Sequence, residues 1–318
     1  MKALQFSQTG DLAALRYLDL PTPLPAAGEV LVEVKASGLN PSDVKNVLGR
    51  FPYTTLPRIP GRDFAGVVVQ GPQNLLGKAV WGAGKELGFY NDGAHAAYVK
   101  LPADGVALKP ESLSFSQAAS LGVPYTTAWD ALERSGVGRG TRVLVIGAGA
   151  VGRAALALAR VRGAHVLGAA RREEQRRALQ AQGFETLPLS TPEALPSQVE
   201  QVFEGGAQVI FDTTGFWLAA AVPALATFGR VAIIAAPVDG QVQLPALDLY
   251  RRGGSVVGIN SLLYGCAECA RMLERFGRHF DDGTLPAPEG LVESPLAEGP
   301  ARYADVDEGR SEKVILIP

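Results

Sequence analysis

The sequence predicts an α/β protein in which a doubly wound parallel-sheet domain is inserted into a β-rich domain. Three observations predict it. Residues 1 to about 115 read as short apolar strands divided by glycine and proline turns, the texture of a compact barrel or sandwich. From about 116 to 260, short strands alternate with helix-length stretches, the pattern of a parallel sheet. After 260 come a helix and a closing apolar strand, so the β-rich domain draws on both ends of the chain. A length of 318 residues agrees, being too great for one ordinary core. The expected division is 1–118 plus 263–318 for the β-rich domain and 119–262 for the sheet domain.

Each element follows from local pattern. Strands are expected at 2–6, 15–20, 30–37, 64–70, 78–81 and 95–101. Three prolines in 51–60 predict an irregular loop. Residues 114–134 read as helical, with a break at Pro124. Strands then fall at 143–146, 165–169, 209–212, 230–235 and 255–260, with one more around 185–189. Helices alternate with them at 150–162, 173–182, 192–203 and 216–227. A helix over 268–280 and a strand over 313–317 close the chain. There is no internal repeat and no low-complexity tract.

Composition excludes several classes of function. Hydrophobic residues are 47% and charged residues 19%, an ordinary globular balance. A formal charge of −2 gives no electrostatic case for nucleic acid. No apolar run approaches the roughly 18 residues that span a membrane. The first residues lack the apolar core of a signal peptide. Two cysteines do not make a disulfide framework, and a cytoplasmic location is expected.

Gly147-Ala-Gly149-Ala150-Val151-Gly152 is a G-x-G-x-x-G sequence. Alone the pattern is weak, and a glycine-rich turn that binds nothing would also satisfy it. Here it follows an apolar strand and opens an alanine-rich helix, the context a dinucleotide fingerprint requires. Gly147 permits the tight turn, Gly149 lets a pyrophosphate approach the backbone, and Gly152 lets helix and strand pack closely. The helix N-terminus offers free N–H groups and positive dipole to the phosphates.

The acid that should follow is missing. In a site that prefers NAD, an Asp or Glu roughly 20 residues after the glycines bonds the ribose hydroxyls. At that place this chain reads Gly168-Ala-Ala170-Arg171-Arg172. A carboxylate would repel a 2′-phosphate, whereas small residues make room for it and arginine binds it with paired, charge-assisted hydrogen bonds. The expected cofactor is NADPH, with Arg172 the first candidate for the phosphate and Arg171 the second. The competing reading is a solvated charge run facing Glu173 and Glu174. Asp212-Thr-Thr-Gly215 ends a strand at the carboxyl edge, where open sheets bind ligands, so Asp212 is expected to line the cofactor pocket or to cap a turn.

With these motifs in place the chain resembles the medium-chain dehydrogenase/reductases along nearly its whole length. The resemblance rests on Gly28-Glu-Val-Leu-Val, Gly38-Leu-Asn40-Pro-Ser-Asp43, Ile59-Pro-Gly61-Arg-Asp63-Phe-Ala-Gly66, Tyr125-Thr-Thr127-Ala, the fingerprint, and Glu312-Lys313-Val-Ile-Leu. It implies a GroES-like catalytic domain around an inserted Rossmann domain. Zinc-dependent members carry a cysteine where this chain has Asn40, His-Glu where it has Arg62-Asp63, and a second cysteine ligand where it has Val123. Those replacements, together with the absence of a four-cysteine lobe, imply that no metal is bound. Cys266 and Cys269 form one C-x-x-C pair, which cannot close a tetrahedral site, and a packing role is expected for both. His95, His165 and His279 are scattered and read as structural.

Without a Lewis acid the resemblance points to the zinc-free branch, which reduces quinones or activated C=C bonds with NADPH. These acceptors are already electrophilic, so hydride transfer needs mainly proximity, orientation and a dry pocket. Asn40 is the first candidate donor to the developing oxyanion, its competing role being a turn residue in Asn-Pro. Tyr53, a phenol on the 51–60 loop, is the second, and water is the expected proton source. Thr127 resembles the family threonine that lies against the nicotinamide. Lys313 resembles a family lysine near the terminus and is expected near the cofactor or in a surface ion pair. A quinone is the leading acceptor, an enone or 2-alkenal the alternative, and a cofactor-binding sensor without turnover the alternative of another class. Two features depart from the quinone-reductase pattern: the fingerprint lacks its Ala-Ala-x-Gly-Gly-Val-Gly form, and residues 78–92 are short. The family often dimerises through the edge strand of the inserted sheet, and residues 255–260 are the expected edge of a homodimer.

Overall fold

The computed structural model describes residues 1–310 and 313–318, so Glu312 of the C-terminal motif lies outside the described residues. The chain divides into two compact units, Met1–Thr126 with Ser261–Pro318, and Thr127–Asn260.

In the second unit six strands form one parallel sheet. Their order is Glu185–Pro188, His165–Ala170, Arg142–Ile146, Ala207–Asp212, Leu225–Ile233, Ser255–Gly258. This is a Rossmann sheet, and the strand order reverses between Arg142–Ile146 and Ala207–Asp212. Val143, Leu144, Val145 and Ile146 are all fully buried, as a central strand covered on both faces demands. The helix Ala150–Val161 buries an alanine-rich face, which allows close approach to the sheet.

Three expectations need correction here and in the first unit. The helix expected over 216–227 is only Leu218–Ala221 followed by a 3₁₀ turn, Val222–Ala224, and Leu225 already belongs to the next strand. Leu225 pairs with Ala207 and is fully buried, so sheet burial overrides a helical reading of a short apolar run. Pro124 breaks nothing. It sits in the first turn of the helix Gly122–Arg134, where a backbone N–H would be unpaired anyway. His95 stands outside the strand Tyr98–Pro102, because its backbone N–H bonds Pro60 and its carbonyl bonds Leu4.

The first unit is a GroES-like β-rich fold. Its main sheet runs Leu291–Pro295, Lys313–Ile317, Glu29–Gly38, Asp63–Gln70, Ala79–Gly82, Ala107–Leu108, and Tyr98–Pro102 also pairs with Glu29–Gly38. Val30, Val32, Val34, Phe64, Val68 and Val80 alternate into its core. The pairing of Ile315 with Gly38 and Leu316 with Ser37 places the C-terminal strand beside residues 37–40. A short helix, Pro41–Val47, follows at once, with Pro41 in its first position, where proline is favoured. No helix among the described residues is long and apolar enough to cross a membrane.

Candidate active site and cofactor cradle

The cradle lies in the Rossmann unit at the carboxyl ends of its central strands. Gly147 leaves the strand at φ 107°, a left-handed angle that glycine adopts without strain. A side chain at Gly152 would collide with the carbonyl of Gly147, while nothing lies within 4 Å of a side chain added at Gly149. The loop is therefore tight on its protein side and open at Gly149, the shape a pyrophosphate needs. Ala150 and Val151 open the helix, so their N–H groups are among those without an intrahelical partner. Arg153 lies in the first helical turn and donates from Nε to Ala148 O at 3.0 Å, adding a cation beside the loop. Sequence reasoning missed Arg153, although an arginine directly after the third glycine is itself the signal.

Arg171 and Arg172 follow the strand His165–Ala170, and both are exposed. They differ in engagement. Arg172 is the N-cap residue of the helix Glu173–Ala181 and its guanidinium lies 3.4 Å from Glu174. Glu173 takes Arg176 and Arg177. Arg171 makes no hydrogen bond or ion pair among the described residues. Asp212 is buried and its carboxylate is fully engaged: Oδ1 accepts from Thr214 N, Thr214 Oγ1 and Gly215 N, and Oδ2 accepts from Trp217 N at 2.8 Å. It shapes the 213–217 turn. Thr127 is buried in the helix Gly122–Arg134.

The first unit holds a buried polar network around Asn40, which is 3% exposed. Lys313 Nζ donates to Asn40 Oδ1 at 2.7 Å and to Leu39 O at 3.2 Å. Asn40 Nδ2 donates to Asp63 Oδ2 at 2.9 Å. Asp63 Oδ1 accepts from Val123 N at 2.7 Å, at the N-terminus of the helix Gly122–Arg134, whose dipole favours a carboxylate there. Asp43 Oδ2 accepts from Asn40 N at 2.8 Å and closes a capping box. The structure thus brings Asn40 and Lys313 together and adds Asp43 and Asp63. Their signals were present in the sequence: the N-P-S-D spacing of a capping box, and one acid at the head of an otherwise apolar strand.

Burial pushes Asp43 up to about 7 from an ordinary 3.8, and Asp63 upward as well, with the neighbouring cations opposing. A raised acid binds a proton in the native state that the unfolded chain releases. Its contribution to stability is full below pH 3.8 and is lost as pH rises through 7. Asp43→Asn mimics the protonated form and keeps an acceptor for Asn40 N. Its melting-temperature advantage over the wild type should widen between about pH 4.5 and about pH 8.5. Thermal melts at both values check this, and a constant difference would remove the titration of Asp43.

Tyr53 stands in an aromatic cluster. Its ring stacks on Tyr90 at 5.6 Å and tilts against Phe89 and Phe51. Burial, then Tyr90, raises its pKa, so it stays a neutral phenol. The guanidinium of Arg62, fully buried, lies 6.0 Å from the Phe89 ring and donates to Ser261 and Gly84 O. His95 is buried between Tyr303 Oη at 2.7 Å and Gly38 O at 3.4 Å, and burial pushes it down to about 3. A neutral ring that donates from Nε2 to a carbonyl must accept at Nδ1, which makes His95 a strut behind residue 38. Cys266 and Cys269 are buried on the helix Cys266–Asp281.

The residues at the metal-ligand positions do not fit zinc. Asn40 Oδ1 is taken by an ammonium, and both Asp63 oxygens accept N–H groups. Arg62 and Lys313 add two positive charges where a dication would sit, and no group of three His, Cys, Asp or Glu among the described residues is arranged to hold a metal.

Residues 26–111 match the alcohol dehydrogenase GroES-like domain, and residues 150–277 match the zinc-binding dehydrogenase family. A zinc-type alcohol dehydrogenase-like protein of Schizosaccharomyces pombe is 37% identical over 83% of this chain and 79% of its own. The quinone oxidoreductase of Sus scrofa is 32% identical over 94% of this chain and 92% of its own. Among solved structures, an NAD-dependent alcohol dehydrogenase superposes with a TM-score of 0.89 at 30% identity, covering 100% of both chains.

Proposed function

This chain belongs to the medium-chain dehydrogenase/reductase family, and on that premise we propose that it is a zinc-independent, NADPH-dependent quinone reductase of the cytoplasm. One observation carries the reading. Where zinc-dependent members hold a metal, this chain has a Lys313–Asn40–Asp63 network in which every side-chain oxygen already accepts an N–H group. Such a site suits an acceptor that needs no Lewis acid.

NADPH, when bound, supplies the hydride. The glycine loop and the N–H groups of Ala150 and Val151 hold its phosphates, with Arg153 beside them, and Thr127 lies along the nicotinamide. The small residues Ala169 and Ala170 leave room for a 2′-phosphate, and Arg171 binds it. Asp212 holds the neighbouring turn in shape. Asn40 uses one Nδ2 hydrogen on Asp63 and keeps the other to donate to the acceptor's carbonyl oxygen as negative charge develops there. The near-parallel rings of Tyr53 and Tyr90, 19° apart, with Tyr90 exposed, offer an aromatic face to a planar acceptor, which favours a quinone over an aliphatic enone. The phenolate oxygen takes its final proton from water. The pig quinone oxidoreductase, similar over nearly its full length, supports the same acceptor class.

Among the described residues the Ser255–Gly258 strand pairs on one side only, with Leu225–Ile233, and Val256 on it is exposed. A homodimer would pair this edge with its twin and so cover it.

Steady-state oxidation of NADPH and NADH with 1,4-benzoquinone, 9,10-phenanthrenequinone and a simple enone, each with and without chelator, tests the function. Chelator-resistant quinone reduction that prefers NADPH is expected. Turnover of the enone alone would move the substrate. Tight NADPH binding without turnover would replace the enzyme with a sensor.

A further inference from the structure

The three donors of Lys313 are aimed at the catalytic unit itself. One meets Asn40 Oδ1 at 2.7 Å, one meets Leu39 O at 3.2 Å, and Asp63 Oδ2 stands 3.8 Å from the same nitrogen. The side chain is only 14% exposed. Gly38 makes the approach possible, because a side chain there would stand 3.2 Å from Lys313 Nζ and collide with the Ala119 carbonyl. Two of the three ammonium hydrogens are thus hydrogen-bonded within the network, and the charge is paired with the Asp63 carboxylate, so the group is committed to the protein and not to a phosphate or a ribose.

We infer that Lys313 is a positioning residue that locks the orientation of the Asn40 amide. This rests on the reading of Asn40 as the donor to the acceptor oxygen. An asparagine amide can turn over, exchanging its oxygen and nitrogen. Here the exchange would point NH₂ at an ammonium, which only donates, and an oxygen at a carboxylate, which only accepts. Two charge-assisted hydrogen bonds would be lost and two repulsions gained, each bond being worth about 1.5–3 kcal/mol. The cation on Oδ1 also draws electron density from the amide and strengthens the remaining N–H as a donor. Arg62, Asp43 and His95 are the other titratable or charged groups around this pair, and none of them reaches Oδ1 in its place.

The test is a double-mutant cycle of Lys313→Met and Asn40→Ala, reading kcat with 1,4-benzoquinone and the NADPH dissociation constant by fluorescence. Lys313→Met should lower kcat by roughly 10- to 150-fold, the equivalent of one charged hydrogen bond, with NADPH affinity unchanged. In the Asn40→Ala background it should add almost nothing. Losses that multiply would make Lys313 an independent group and overturn the inference. So would weakened NADPH binding with kcat intact, which would make Lys313 a cofactor ligand. If Asn40→Ala itself leaves kcat unchanged, the reading of Asn40 fails first and takes this inference with it. Lys313→Met leaves Asp63 buried beside an empty position. Should that variant not fold, Lys313→Met/Asp63→Asn removes both charges together, and wild-type kcat in that variant would equally overturn the inference.

Discussion

Asn40→Ala should lower kcat for quinone reduction by about 10²- to 10³-fold, the loss found when one oxyanion donor is removed. NADPH affinity should stay near the wild-type value, since the cradle lies in the other unit of the chain. The argument runs through charge. A quinone oxygen is nearly neutral in the ground state and becomes an oxyanion as hydride arrives, so a donor held in place is worth most in the transition state. Asn40 is held by Lys313, by Asp63 and by its own backbone bond to Asp43. Asn40→Asp is the sharper variant. It replaces the donor with an acceptor and sets a third carboxylate against Asp43 and Asp63. Its kcat should fall below that of the alanine variant when both are compared in one steady-state series. An alanine variant with wild-type kcat would leave Asn40 as an N-cap and nothing more.

Arg171→Ala should raise the Michaelis constant for NADPH by roughly 10- to 150-fold and leave that for NADH almost unchanged. Sequence position alone favours Arg172, which is one residue further into the loop. The structure separates the two by what each already does. Arg172 faces Glu174 and begins a helix, whereas Arg171 has no partner among the described residues. Arg172→Ala should therefore change NADPH affinity less than Arg171→Ala. Parallel kinetics of the two variants with both cofactors decide it. Equal losses with NADPH and NADH would show that the arginines do not read the 2′-phosphate.

What the sequence made legible was local. A buried apolar strand, a glycine turn and an alanine-rich helix are neighbours in the chain, so residues 142–161 could be read directly. The alternation of strands and helices carried the Rossmann sheet in the same way. The misreadings have physical causes. Leu225 is a strand residue because Ala207 lies opposite it, and nothing in a window of neighbouring residues contains Ala207. Asn40-Pro41 reads as turn chemistry, and an N-cap is turn chemistry, but the helix it starts is only seven residues long and carries little periodicity. The Asn40–Lys313 contact was out of reach altogether. It depends on the register of two strands that pair at only two positions.

That contact joins residues 273 positions apart. A ribosome adds roughly 5–20 residues each second, so Asn40 leaves it many seconds before Lys313 is made. Every strand of the Rossmann unit is translated in the interval. A nascent chain thus carries Asp43 and Asp63 with their lysine still missing, and its Asn40 amide is not yet held on both sides. The dinucleotide fold can form before that donor is locked. On the roles proposed for these residues, the two capabilities arrive in a set order in a growing chain, cofactor first and catalysis last.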